Sequence, residues 1–92
     1  MSTTQDIIEY RHSGANTWEI TDIKVLSKRR QGKGTKLFLD AIKNMPNVKR
    51  VYAITRKSNK LGNSFYKSLN MISIVLPDFY FEEDAVMYIK RI

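Results

Sequence analysis

The 92-residue sequence has no cysteine, two prolines, one histidine (His12) and one tryptophan (Trp18). Without cysteine there is no disulfide, no thiolate zinc site and no cysteine nucleophile, and a lone histidine excludes a histidine-based metal cluster. No stretch approaches the roughly 20 apolar residues needed to cross a bilayer, and the polar start, Met1 to Asp6, lacks the apolar core of a signal peptide. The sequence therefore reads as cytoplasmic, with no membrane partner. Repeats, low-complexity tracts and Pro/Gly/Ser linkers are also missing, so residues 1–92 read as a single domain. Acidic residues are few, 9 against 16 Lys+Arg, which leaves a formal charge of +7. That excess suits an anionic partner, whether nucleic acid, an anionic small molecule or an acidic protein, and equally suits a solvated basic surface.

What is present is enough for one core. Hydrophobic residues make up 42% and aromatics 11% of the chain, well above disordered composition. Asp6 to Arg11 predicts a short strand, Ser13 to Thr17 a turn, and Trp18 to Leu26 a second strand forming a hairpin with the first. Strict alternation in that strand sets Trp18, Ile20, Asp22 and Lys24 on one face and Glu19, Thr21, Ile23 and Val25 on the other. Leu37, Phe38, Ala41, Ile42 and Met45 recur at helical spacing, and Pro46 and Asn47 stop the helix. Val48 to Thr55 predicts a strand, and Ser58 or Asn59 caps a second helix burying Leu61, Phe65 and Leu69. Asn70 tolerates the left-handed conformation that ends a helix. Met71 to Leu76 and Ala85 to Ile92 predict two final strands. The order β-β-α-β-α-β-β implies an α+β (α/β) fold, a mixed sheet with a parallel pair at its centre and antiparallel pairs at its edges, flanked by two helices.

The first segment with chemical content is Arg29, Arg30, Gln31, Gly32, Lys33, Gly34, between a strand and a helix. Amides at a helix start carry the positive end of the helix dipole, glycines allow close backbone approach, and Lys28, Arg29 and Arg30 add charge, which together suit a phosphate. A plain basic turn has the same pattern. The spacing fits neither a P-loop, which needs a glycine at position 27, nor a dinucleotide fingerprint, which needs one at position 37.

Arg29, Gly32 and Gly34 resemble the acetyl-coenzyme A signature of the GNAT family of N-acetyltransferases: Arg or Gln, two residues, Gly, one residue, Gly or Ala. A second segment resembles that family's later motif, with Asn59, Gly62 and Tyr66 at its spacing, while Asn70 and Met71 stand where the motif has Gly-Phe. The resemblance covers Trp18 to Ile92, a short form without the family's first strand and helices. Val25 to Arg29 is one residue shorter than the family spacing, and Ser27 lies near a position often held by proline.

The resemblance implies an acetyl-CoA-dependent N-acetyltransferase acting on an amine, with acetyl-CoA as cosubstrate and no metal. The amides of Arg29, Arg30, Gln31, Gly32, Lys33 and Gly34 would bind the pyrophosphate, Val25 and Leu26 the pantetheine arm and acetyl carbonyl, and Asn59 the pantetheine arm. Tyr66 would protonate the departing thiolate, and Glu19 would draw a proton from the amine through water. An open acceptor side implies a macromolecular amine, a protein lysine or amino terminus. Each residue also has an ordinary structural reading: Tyr66 as half-buried, Glu19 as solvated, His12 as a surface residue, and Trp18 with Phe79, Tyr80 and Phe81 as core packing, a homodimer contact or an acceptor groove. The alternatives from other classes are a CoA-binding or partner-inhibiting module without turnover, and a nucleic-acid binder using Lys24, Lys28, Arg29, Arg30, Lys33, Lys36, Arg50, Arg56, Lys57 and Lys60.

Overall fold

The computed structural model describes residues 7–24 and 33–92. Strands β1 (Ile7–Gly14) and β2 (Thr17–Lys24) pair antiparallel around a two-residue tip, Ala15 and Asn16. The tip is tighter than the predicted turn because Asn16 adopts a positive φ of 56°, which Asn accepts at low cost and a hairpin of this length requires. Its carbonyl receives the amides of Lys49 and Arg50, so the tip also fixes where the third strand begins.

Helix α1 (Lys33–Lys43) follows, then β3 (Arg50–Arg56), α2 (Lys60–Ser68), β4 (Ile72–Leu76) and β5 (Ala85–Arg91). The sheet runs β1-β2-β3-β5-β4, with β2 and β3 parallel and every other pair antiparallel, as the alternation of helical and hairpin-like joins predicts. Asn47 and Asn70, with φ of 56° and 59°, turn the chain after α1 and α2.

Both helices bury their apolar stripes against one face of the sheet. Phe38, Ala41 and Met45 of α1 meet Tyr66 and Leu69 of α2 over Ile20, Val51, Ala53 and Tyr88. In α2 the buried position is Tyr66, whereas Leu61, expected in the core, is 63% exposed. Trp18 packs against this core, edge-on to Tyr10 and His12 with ring centroids 5.8 and 5.2 Å away.

Strict alternation fails in β2. On β1 the core-facing residues are the evenly spaced Ile8, Tyr10 and His12, but their partners on β2 are Ile23, Ile20 and Trp18. One extra residue, Thr21, separates the pair Glu9 and Asp22 from the pair Tyr10 and Ile20. This is a β-bulge, which bends the strand and puts Ile23 on the same core face as Trp18 and Ile20, correcting the expectation that they lie on opposite faces.

Candidate functional site

The bulge lies where β2 parts from β3. Their parallel ladder runs from Thr17 with Arg50 to Ile20 with Ala53 and stops, although β2 continues to Lys24 and β3 to Arg56. Each strand stays paired on its other side, Ile23 and Lys24 with β1 and Ile54 to Arg56 with β5. The two strands therefore diverge, and the facing edges of Thr21–Lys24 and Ile54–Arg56 carry no ladder bonds to each other. A gap of this kind between two strands can admit an extended ligand rich in amides.

The divergence opens a cleft of about 840 Å³, within the usual range of ligand sites. Thr21, Asp22 and Ile23 form one wall and Ile54, Thr55 and Arg56 the other, with Gly34 and Thr35 at the start of α1 and Asn59, Gly62, Phe65 and Tyr66 from α2 completing it. Gly34 is buried, and a Cβ there would come within 2.7 Å of the Phe65 ring. Glycine lets α1 begin this close to Phe65 on α2, so the start of α1 and the flank of α2 close one side of the cleft.

Asn59 caps α2, its Oδ1 accepting from the Gly62 amide at 3.0 Å while its Nδ2 donates to Thr55 Oγ1 at 2.8 Å. Its side chain thus ties the second helix to the wall of the cleft. Four residues on, Asn63 donates to the carbonyls of Arg56, Lys57 and Asn59 and accepts from the Tyr88 hydroxyl at 2.6 Å. This hub fixes the β3–α2 turn and was not foreseen, since an Asn on a helix carries no signal of so many partners.

Tyr66 stands 5.3 Å from the rings of both Phe65 and Tyr88. It is 95% buried yet lines the cleft. Burial, and secondarily the Asp22 carboxylate, push its phenol from 10.0 up to about 12. It stays a proton donor throughout the neutral range. Its hydroxyl makes no hydrogen bond to any described residue.

Of the two carboxylates on β2, Asp22 lines the cleft and Glu19 does not. Glu19 lies across from Arg11 and is held by it at 2.8 Å on the sheet face away from the helices. At the mouth of the cleft Tyr80 carries the Arg56 guanidinium over its ring at 4.3 Å. Glu83 binds both Arg56 and the Ser58 amide, and the Ser58 bond foremost lowers its carboxyl below the ordinary range. In the same loop Phe81 is 92% exposed. Val25, Leu26, Arg29, Arg30, Gln31 and Gly32 lie outside the described residues, and for Lys33 only the backbone, at the first position of α1, is described.

No protein-family model and no curated protein matches the sequence. Solved structures match it closely in shape. A GNAT-family protein from Desulfovibrio desulfuricans superposes with a TM-score of 0.82 at 21% identity, over 94% of this chain and 60% of its own. An acetyltransferase of Bacillus subtilis solved in complex with CoA gives 0.79 at 19% identity, over 95% and 68%. The NatC complex bound to a Gag peptide and CoA gives 0.77 at 22%, over 95% and 60%. The chain has the GNAT fold. It spans about three fifths of the length of the first of these GNAT structures. The expected mixed five-stranded sheet with two helices is the one found.

Proposed function

We propose that the chain binds acetyl-CoA in the cleft between β2 and β3 and transfers the acetyl group to an amine on a protein. The observation that carries this reading is the early end of the β2–β3 ladder beside the start of α1, in a cleft that Tyr66 also lines with a hydroxyl uncommitted among the described residues. The fit follows from the chemistry of the parts. The pantetheine arm is extended and contains two amides, matching the edge of Thr21–Lys24 that carries no ladder bonds to β3. The pyrophosphate is an anion, matching the start of α1 at Gly34 and the basic segment before it. Several solved relatives contain CoA, and one holds a peptide as well.

Acetyl-CoA supplies an activated acyl carbon and a thiolate leaving group, and the chain's residues orient and protonate around it. Attack by the neutral amine forms the new C–N bond and breaks the C–S bond, while the ammonium proton is lost. Backbone amides of the open β2 edge stabilise the negative charge on the carbonyl oxygen. Tyr66 donates a hydrogen bond to the sulfur as charge accumulates on it. Asp22 is taken as the acceptor of the amine proton because it lines the cleft and Glu19 does not. Glu19, the residue that the family resemblance selects, is committed to Arg11.

Calorimetry with CoA, followed by mass spectrometry of peptides incubated with acetyl-CoA, tests both halves of the proposal. Indifference of the wild-type chain to CoA sinks it. Binding of CoA without acetylation of any lysine or amino-terminal peptide leaves the fold as a CoA-binding module.

A further inference from the structure

The helices cover one face of the sheet, and the other carries a regular grid. Residues paired across strands share a face. Tyr52, Ile89 and Ile72 make one row over β3, β5 and β4, and Ile54, Met87 and Ile74 make the next. Neither row is covered by a described element: Ile72 is 69% and Ile74 45% exposed. The row beyond Tyr52 and Ile89 is Arg50 with Arg91, two guanidinium groups directly opposite each other. Like charges so placed repel. Arg50 donates to the Thr17 hydroxyl, and among the described residues neither arginine forms an ion pair. At the other end of the grid Arg56 is compensated by Glu83.

We infer that this face docks an amphipathic helix of a partner polypeptide, with an apolar stripe along β5 and carboxylates at the end that lies over Arg50 and Arg91. The outer columns of the grid stand about 9.6 Å apart, two strand spacings, which matches a helix diameter of about 10 Å. From the arginine row to the row of Ile54, Met87 and Ile74 is roughly 13 Å, or about 9 helical residues, and beyond it Ala85 is buried. A helix C-terminus over the arginines adds its own partial negative charge. A second copy of the chain fits less well. Each copy carries a formal charge of +7 and brings its own arginine row, and both described helices already use their apolar stripes in the core.

The test uses the full chain and a synthetic helical peptide of about 18 residues, with leucines on one stripe and glutamates in its last turn. Its control has lysines in that turn. Fluorescence anisotropy should show saturable binding of the glutamate peptide, weakened about tenfold in the control. Ile74→Asp, on an exposed edge strand, should abolish binding with the circular dichroism unchanged. Arg91→Glu should invert the preference between the peptides, which keeps the test decisive should Ile74→Asp unfold. Equal affinity for both peptides, or none for either, overturns the inference. So does self-association in sedimentation that Ile74→Asp abolishes, since the face would then belong to a second copy. None of these readouts depends on CoA binding or acetyl transfer.

Discussion

Replacing Tyr66 with phenylalanine removes one oxygen from the cleft and leaves the ring stack with Phe65 and Tyr88 in place. The hydroxyl has no hydrogen bond to any described residue, so its loss should leave the unfolding midpoint nearly unchanged. Its chemical consequence follows from its acidity. A phenol at about 12 facing a thiol of ordinary pKa near 8.5 opposes complete proton transfer by about 3.5 units, or roughly 5 kcal/mol. Tyr66 therefore acts as a hydrogen-bond donor to the departing sulfur, with water supplying the final proton. Removal of one such donor typically costs about 10² to 10³ in turnover. The assay is thiol release from acetyl-CoA with an acetylatable peptide, from pH 7 to 11. Tyr66→Phe should be at least about a hundredfold slower, with KM for acetyl-CoA within about twofold of wild type. The wild-type profile should show no tyrosine-linked fall near pH 10. Full turnover in the variant, or a wild-type limb at pH 10 that the variant lacks, would refute the reasoning.

Spectrophotometric titration should show one of the five tyrosines ionising near pH 12, and Tyr66→Phe should remove that step. Because the native phenol keeps its proton while the unfolded one loses it near 10, stability should fall as pH rises from about 10 to 12, by about 2 to 3 kcal/mol. Asn59→Ala loses the cap and the bond to Thr55, and urea unfolding should report a loss of about 1 to 2 kcal/mol; Asn59→Asp should recover part of it. Gly34→Ala sets about 1 kcal/mol of helix preference against overpacking on Phe65 of about 1 to 3, so the net loss should stay under about 2 kcal/mol and shrink in a Phe65→Leu background. Asp22→Asn should slow turnover most at neutral pH and converge with wild type at alkaline pH, where the acceptor amine is already neutral. The reverse result, with Glu19→Gln carrying that pH signature, would move the base to the open face.

The elements were legible because their periods and stop signals are local. Phe38, Ala41 and Met45 mark a helical stripe, and Val51, Ala53 and Thr55 alternate through β3. The two asparagines after the helices announce themselves by composition. Tertiary choices were not legible. Which side of α2 goes inward depends on Tyr88 beneath it, so Tyr66 is buried and Leu61 is not. Similarly, alternation alone cannot place an inserted residue, and the extra one at Thr21 reversed the faces of everything after it. Glycine and asparagine motifs located the cleft, yet the reason the cleft exists, a ladder that stops at Ile20 and Ala53, is a property of two strands together.

The bulge also makes the cleft depend on a residue count. Thr21 is exposed and, as the unpaired member of the bulge, occupies its position by number and not by a side-chain contact that only threonine can make. Many residues can stand there during sequence drift, but loss of the position would close Tyr10 with Ile20 and Glu9 with Asp22 into a regular ladder, keeping Ile23 on the core face while removing the bend and straightening the strand towards β3. The site is accordingly tolerant of substitution and intolerant of deletion at the same position, a form of constraint that comparison of residue types would overlook.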